Sequence, residues 1–411
     1  MFETMPEYIP RPLYTERIRP YIDTRIIKVI TGQRRAGKSY ILYGLIGEIK
    51  KKKPKASILY INTELAEFRD MKTGNNLYDY IASRLRKGKN NYVFIDEIQE
   101  IEGFENALKS LFAEDFADLY ITGSNSRLLS GELATYLSGR YILFTIHTLS
   151  YREFLAFHKL RKGNESLQKY LQIGGMPYLA SLKGDKNLSI EYLKNVYESI
   201  LLRDVVLRGK IRNIRFLENL AIYLSDNTGS LFSANNISKY LMNQKIKMPV
   251  QTVINYLEIL ESSFLIHRIQ KKEIGGLKIF EIGEKYYFED LGLRNILARN
   301  APAADKSKII ENAVYLSLIQ REFTVHVGKL SAGEIDFIAE KHNSVMYIQV
   351  CWDMDREQTW KREISRLLEI DDNFPKYIVT MKPEPAATAL KEIKIIGLED
   401  FLLMPKFPLD E

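Results

Sequence analysis

The stretch that decides the fold of this chain is Thr31-Gly32-Gln33-Arg34-Arg35-Ala36-Gly37-Lys38-Ser39. It fits the pattern G-x-x-x-x-G-K-[ST], a loop that wraps around nucleotide phosphates. Residues 26–30 before it are mainly β-branched and apolar, which predicts a buried strand, and residues 40–49 after it keep apolar positions at helical spacing. In a strand–loop–helix unit the backbone N–H groups and the positive end of the helix can face phosphates.

Each part of this loop has an expected role in binding ATP. Gly32 and Gly37 allow turns that a Cβ would resist. We expect Lys38 to contact the β and γ phosphates and the Ser39 hydroxyl to be a ligand of Mg²⁺. The predicted nucleotide-binding residues are Gly32, Gln33, Arg34, Arg35, Ala36, Gly37, Lys38, Ser39 and Tyr40. The two arginines lie at variable positions of the pattern, so they could contact phosphate or nucleic acid, or be solvated.

A second apolar strand, Tyr92-Val93-Phe94-Ile95, ends in the acids Asp96 and Glu97. Asp96 is expected to hold Mg²⁺, directly or through water, and Glu97 to polarise the attacking water as a catalytic residue. A strand that ends in two acids is common and usually structural. The presence of the phosphate loop in the same chain favours a catalytic role for these two acids.

Three further strand patterns, at 57–62, 119–122 and 141–144, alternate with helical segments. Together with the two strands above they predict an α/β fold built on a doubly wound parallel sheet. No apolar run approaches the ~20 residues that a membrane-spanning helix needs. A single cysteine excludes an intrachain disulfide and a multi-cysteine zinc site, and no secretory signal follows Met1, so we expect a cytoplasmic protein.

Polar residues beside these strands are candidates for the γ-phosphate. Ligands of such sheets bind at the carboxyl ends of the strands, so Ser124 and Asn125 should point toward the nucleotide. Alternatively, they cap a helix at 126–129. Arg140 could complete the γ-phosphate site from the same chain or from a neighbouring subunit, and a surface salt bridge is the alternative for it.

Six short motifs make the resemblance to a known family specific. The chain resembles bacterial and archaeal AAA-type P-loop ATPases related to the STAND class, in which the motifs GxRRxGKS, DEIQ, TGSN, GR[YF], LSxxEF and GGMP recur in this order. Here they stand at 32–39, 96–99, 122–125, 139–141, 149–154 and 174–177. The resemblance covers residues 14–210. It implies an ATPase core at 1–150, a helical lid at 151–212, and a polar γ-phosphate sensor, for which Ser124 and Asn125 match.

Residues 213–295 have the pattern of a winged helix: three helices, then a hairpin around Gly275-Gly276. In that fold the third helix, at 248–262, enters the DNA major groove and the wing reaches phosphates. The wing cations would be Arg268, Lys271, Lys272 and Lys278. However, Glu258 and Glu261 on the third helix would repel DNA, so a module that docks a protein or packs within the chain is the alternative.

The last segment, 300–411, has the α-β-β-β-α-β order of restriction-endonuclease-like folds, and the family that the chain resembles commonly carries such a domain here. Glu311 and Asp336 match two of the acids of that site, Gln349 stands where a further acid is expected, and Cys351 stands where a lysine is expected. Nothing in the sequence argues for a lysine from elsewhere, such as Lys361. We therefore expect a degenerate, inactive nuclease site that is kept for packing or binding.

The sequence thus predicts an AAA-like ATPase that binds and hydrolyses ATP with Mg²⁺ and couples this to double-stranded DNA or to a protein partner. A net charge of +7 and a pI of about 9.0 favour a polyanionic partner modestly. One alternative is an ATP-gated switch or scaffold that binds a protein and turns over slowly. A second is an ATP-regulated, Mg²⁺-dependent nuclease. An oligomer is compatible with all three, and no membrane role is expected.

Overall fold

The computed structural model describes residues 8–85, 90–125, 137–207, 209, 211, 213–231, 233–243, 248–274, 279–298, 306–330, 333–342, 344–352, 357–381 and 392–405. These residues belong to two compact units. The first comprises Met1–His147 with Ser262–Phe264, and the second comprises Thr148–Glu261 with Leu265–Glu411.

The first unit is built on a sheet of five parallel strands in the order β2-β3-β4-β1-β5. The strands are β1 (Ile27–Thr31), β2 (Ser57–Asn62), β3 (Asn91–Asp96), β4 (Asp118–Gly123) and β5 (Tyr141–Thr145). The predicted parallel sheet is confirmed, and every predicted strand lies within one residue of an observed one. Since all strands run the same way, the loops that follow β1, β3 and β4 meet at one edge of the sheet.

Helices cover both faces of this sheet, as a doubly wound fold requires. They are α1 (Pro12–Ile18), α2 (Lys38–Lys52), α3 (Gly74–Ala82) and α4 (Phe104–Glu114). Alternate strand residues point to opposite faces, so Ile30 packs in one apolar core with Leu45 of α2, while Val29 packs in the other with Leu108 of α4.

The second unit begins with helices and continues into a large sheet. Its described helices are α5 (Tyr151–Phe157), α6 (Asn164–Ile173), α7 (Lys186–Ser199), α8 (Ile214–Asp226), α9 (Ala234–Asn243), α10 (Val250–Ser262), α11 (Leu291–Leu297), α12 (Lys306–Gln320), α13 (Glu357–Leu368) and α14 (Leu398–Leu403). A π-helix, Ile200–Leu207, extends α7. Among the described helices, none is both long enough and apolar enough to cross a bilayer.

The sheet of the second unit has seven strands in the order β12-β11-β10-β9-β8-β6-β7. They are β6 (Ile266–Glu273), β7 (Ile279–Phe288), β8 (Thr324–Leu330), β9 (Gly333–Lys341), β10 (Ser344–Cys351), β11 (Lys376–Thr380) and β12 (Ile393–Gly397). Helix α12 contributes to the core on one face of this sheet, and α13 contributes to the core on the other. The predicted α-β-β-β-α-β order is present from α12 to β11, and β12 and α14 follow it.

The predicted hairpin, β6 and β7, is present as an antiparallel pair, whereas its glycine turn at 275–276 lies outside the described residues. It follows α8, α9 and α10 in the order predicted for a winged helix. However, β6 also pairs in parallel with β8, through Lys272 and Gly328 for example, so the hairpin belongs to the same sheet as the C-terminal strands. This pairing satisfies backbone groups along β6 that a free wing would leave to solvent.

Candidate nucleotide-binding site

The phosphate loop follows β1, and its glycines are required by its conformation. Gly32 has a φ of 142°, and a Cβ at this position would lie 2.0 Å from the carbonyl oxygen of Ile146. Gly37 has a φ of 97° and precedes the first residue of α2. Both positions lie in the part of φ space that glycine adopts without strain. The loop is therefore shaped by backbone geometry that only these residues permit.

We expect Gly32→Ala to unfold at a markedly lower temperature than the wild type, because the new methyl group would overlap a backbone oxygen that cannot move aside. The matched control is Gly103→Ala, since Gly103 also has a positive φ (67°) but no heavy atom lies within 4 Å of its Cβ position. The control should cost only about 1–2 kcal/mol, the strain of a left-handed alanine. Thermal unfolding measures both, and equal melting temperatures would contradict the steric argument.

Lys38 is buried, and its ammonium lies inside the curve of the loop. Its Nζ atom donates to the carbonyl oxygens of Gly32 and Gln33, at 3.1 and 3.2 Å, and lies 3.4 Å from Glu97 Oε1. The glutamate has a left-handed backbone (φ 56°), directly after β3. The two residues that the sequence predicted for phosphate binding and catalysis are therefore in contact.

Asp96, at the end of β3, is almost fully buried and accepts hydrogen bonds from three hydroxyl groups. These belong to Thr122, to Tyr60 at 2.7 Å, and to Ser39 of the loop. Burial raises the pKa of Asp96, and the hydrogen bonds from Thr122 and Ser39 oppose that rise. A carboxylate beside a serine hydroxyl is a set of hard oxygen ligands suited to Mg²⁺, so these two residues fit the predicted ion.

The surroundings of Glu97 favour its ionised form. Burial alone would raise its pKa, but Lys38, Gln99 and Arg34 outweigh this effect and lower the pKa below its ordinary value. The Gln99 amide donates to Glu97 Oε2 and lies 3.4 Å from Ser124 Oγ. Gln99 therefore links the predicted base to the predicted sensor. Sequence reasoning noted it only as part of a motif and assigned it no role.

Ser124 and Asn125 are both buried and follow β4, the neighbour of β1 in the sheet. They therefore lie at the same edge as the phosphate loop, where the sequence placed them. The alternative helix at 126–129 falls outside the described residues.

The remaining loop residues differ in their surroundings. Gln33 and Ala36 are fully buried, whereas Arg35 is exposed. Arg34 is largely buried and forms an ion pair with Glu64 at 2.8 Å. The Tyr40 side chain, the last of the predicted set, is half exposed.

Arg11 supports the loop from outside it and was missed in the sequence. Its guanidinium is buried and donates to the carbonyl oxygens of Ala36, at 2.9 Å, and His147, at 3.0 Å. No motif marks this arginine, because its contacts are made 25 and 136 residues away along the chain.

The structure does not bring Arg140 to the phosphate loop. Arg140 precedes β5, its carbonyl accepts from Ile27 at the start of β1, and its guanidinium lies over the ring of Phe112. The loop begins at the other end of β1, about 16 Å away for a strand of this length. Within one chain, Arg140 therefore lies at the opposite edge of the sheet from the predicted γ-phosphate site.

In the second unit, the three predicted nuclease-site residues do come together. The main chain of Asp336 donates to Gln349 Oε1 at 3.3 Å, and Asp336 and Glu311 share a contact with one ammonium group. That group is Lys285 of β7, whose Nζ lies 3.0 Å from Glu311 Oε1 and 3.2 Å from Asp336 Oδ1. The expectation that the site lacks a lysine thus needs correction: Cys351 leaves none on β10, but β7 supplies one.

The charge of this lysine is maintained by its neighbours. Burial would lower the pKa of Lys285, but the carboxylates of Glu311, Asp336 and Glu334 outweigh it and raise the pKa above its ordinary value. The alternative donor considered from the sequence, Lys361, has a side chain outside the described residues.

The predicted wing cations are paired with carboxylates where the structure describes them. The pairs are Arg268 with Glu261 and Glu284, Lys271 with Glu334, and Lys272 with Glu340. Lys278 lies outside the described residues. Each pairing would have to be given up or shared for the side chain to contact a DNA phosphate, so the geometry favours packing over phosphate binding for these three.

Comparison with known proteins agrees with the sheet and the loop. Residues 24–155 match a family described as AAA domain, and residues 164–304 match a domain of unknown function (DUF8612). Together with the parallel sheet and the phosphate loop, the first match shows an AAA-type P-loop ATPase domain, a nucleotide-binding class.

Two relatives match most of the chain. One, an uncharacterized protein of Haemophilus influenzae, is 33% identical over 401 residues, which cover 96% of this chain and 98% of that protein. The other, an uncharacterized protein (MJ1544) of Methanocaldococcus jannaschii, is 31% identical over 82% of this chain and 77% of its own length. The chain belongs to one family with the Haemophilus protein.

Among solved structures, AMPPCP-bound DnaA from Aquifex aeolicus is 15% identical and has a TM-score of 0.32, covering 62% of this chain and 89% of that one. A likeness at this level carries no argument about function.

Proposed function

We propose that the first unit binds ATP with Mg²⁺ and hydrolyses it. One observation carries the proposal: the two pairs Lys38–Glu97 and Ser39–Asp96 meet at the carboxyl edge of the sheet. A P-loop hydrolase needs these four groups, namely a phosphate-binding lysine, a hydroxyl and a carboxylate for the metal, and a carboxylate for water.

Each residue has a definite task in this proposal. Lys38 exchanges its contacts with the loop carbonyls for stronger charge-assisted bonds to phosphate oxygens. Ser39 and Asp96 hold Mg²⁺, which when bound neutralises charge on the phosphates. Glu97, whose ionised form Lys38 favours, orients and polarises the attacking water, while Gln99 holds its carboxylate.

Further residues complete the proposed site. Ser124 and Asn125 sense the γ-phosphate, because they follow the strand next to β1. Arg140 contributes only from a neighbouring subunit, because within the chain it lies at the opposite edge of the sheet. The second unit comprises the lid at 151–212, the winged helix at 213–295 and the restriction-endonuclease-like segment at 300–411, and it passes the nucleotide state to a partner.

A protein is the favoured partner of the two considered. The ion pairs of Arg268, Lys271 and Lys272 favour it, since cations already bound to carboxylates release fewer counterions on contact with DNA. This supports the ATP-gated switch as the second candidate function, with double-stranded DNA as the alternative partner.

The experiment is ATP turnover by the full chain, measured as phosphate release. We expect turnover with Mg²⁺ and none with excess EDTA. Double-stranded DNA at low and moderate salt should change the rate by less than about twofold, because phosphate contacts are few. Strong stimulation that weakens as salt rises would instead establish DNA as the partner. If the chain binds ATP but shows no turnover under any of these conditions, hydrolysis is refuted and the ATP-gated switch remains as the function.

A further inference from the structure

The second unit contains a buried ion cluster that the ATPase does not use. It is formed by Lys285, Glu311, Glu334 and Asp336, which come from β7, α12 and β9, and it is called here the Lys285 cluster. The ammonium lies 3.0, 3.2 and 3.4 Å from carboxylate oxygens of Glu311, Asp336 and Glu334, and the Lys285 residue is only 2% exposed.

The geometry matches the bonding capacity of the ammonium. A lysine has three N–H donors and no acceptor, and here three carboxylates surround it. The carboxylates also accept hydrogen bonds from neutral donors. Val350 N donates to Asp336 Oδ2 at 2.9 Å, and the Tyr287 hydroxyl donates to Glu311 Oε1.

Two of the three acids, Glu311 and Asp336, are those that the sequence marked for a degenerate nuclease site. A divalent ion bound by Glu311 and Asp336 would have to lie close to the position of Lys285 Nζ, because that atom contacts both of them. Two cations this close repel each other strongly in a poorly hydrated site. The lysine is covalently attached to β7 and is already buried, whereas a metal ion must first lose its bound water. Occupation of the site by the ammonium is therefore favoured over occupation by a metal ion.

We propose that the Lys285 ammonium is the resident cation of this cluster, in the place that a divalent metal would take. The cluster therefore ties the hairpin to α12 and β9 and does not cleave phosphodiesters. The inference is independent of the proposed ATPase activity, because every group in it belongs to the second unit.

The test is Mn²⁺ binding to the nucleotide-free full chain. Lys285→Met should gain one Mn²⁺ site per chain relative to the wild type, and the double variant Lys285→Met/Asp336→Asn should lose it. Lys285→Arg should gain none, because the cation is kept. The matched control is Lys272→Met, which removes a lysine of the neighbouring strand that pairs with Glu340 instead and lies outside the cluster. It too should gain no site.

Stability gives an independent readout, since Lys285→Met leaves Glu311 and Asp336 without their cation and removes one of the two lysines that pair with Glu334. Without Mn²⁺, the melting temperature of Lys285→Met should be lower than that of the wild type, and addition of Mn²⁺ should raise it. The wild type and Lys272→Met should show no such rise. If Lys285→Met does not fold even with Mn²⁺, the variant Lys285→Met/Glu311→Gln carries one charge less and should show the same Mn²⁺-dependent rise.

Two results would overturn the proposal. One is Mn²⁺ binding or Mn²⁺-dependent plasmid cleavage by the wild type that Asp336→Asn abolishes, because it would mean that metal and lysine occupy the site together. The other is a folded Lys285→Met or Lys285→Met/Glu311→Gln chain without an added Mn²⁺ site. The measurements on the wild type and on Asp336→Asn do not depend on a substitution of Lys285. They therefore test the inference even if the Lys285 variants fail to fold.

Discussion

Lys38→Ala is expected to weaken ATP binding by about 100-fold or more and to abolish turnover. Charge-assisted hydrogen bonds contribute about 1.5–3 kcal/mol each, and the ammonium would make at least two to phosphate. The loss is increased by Glu97, whose carboxylate lies 3.4 Å from Nζ and would face the phosphates without its counter-charge. Equilibrium titration with a fluorescent ATP analogue measures the affinity.

The matched control for this substitution is Lys50→Ala. Lys50 lies in the last turn of the same helix, α2, and its side chain is exposed. Both variants remove one lysine from α2, so a difference between them is due to position. An unchanged affinity in Lys38→Ala would refute the assignment of the phosphate loop.

Glu97→Gln is expected to lower turnover by about 10²–10⁴-fold, the contribution typical of a general base, while ATP still binds. Glutamine has nearly the same shape and keeps its one oxygen toward Lys38, so the loop should not be disturbed, whereas its NH₂ group replaces the oxygen that accepts from Gln99. It has no negative charge with which to accept a proton from water. The chain should therefore accumulate bound ATP, which is measured as the ratio of ATP to ADP retained after gel filtration.

Glu100→Gln is the control, because Glu100 ends the short 3₁₀ helix Ile98–Glu100 that Glu97 immediately precedes, and its side chain is exposed. It should turn over at the wild-type rate. If Glu97→Gln also hydrolyses ATP at that rate, another group must polarise the water and the role proposed for Glu97 fails.

These two outcomes separate binding from chemistry. Lys38→Ala should lose both, whereas Glu97→Gln should lose only the chemical step. If Glu97→Gln binds ATP normally but the wild type itself turns over very slowly, the ATP-gated switch is favoured over an ATPase that couples hydrolysis to its partner. The output of the protein would then depend on whether ATP is bound and not on its turnover.

Features confined to short stretches of the chain could be predicted without a structure. The phosphate loop is one example, because the need for glycine at Gly32 and Gly37 is local. The strand that ends at Asp96 is another, since its four successive apolar residues, Tyr92 to Ile95, are visible as a run in the sequence. The parallel sheet followed from the alternation of such strands with helices.

The predicted contact of Arg140 with the γ-phosphate did not take into account that Arg140 comes before a strand and not after one. Arg140 precedes a strand, whereas Asp96, Ser124 and the phosphate loop follow or end strands. In a parallel sheet, residues before and after strands lie at opposite edges. The position of Arg140 in the sequence therefore already argued against a contact with the phosphate within the same chain.

The amino-acid sequence alone was enough to identify the phosphate loop, its acids and the order of helices and strands, because these depend on residues near one another in the chain. Only the tertiary structure could show that Arg11 braces the loop, that β6 pairs with β8, and that Lys285 neutralises Glu311 and Asp336. Those contacts join residues 25 or more positions apart. Such distant groups meet only when burial of the apolar cores brings their elements together, and no local pattern encodes which of them will be neighbours.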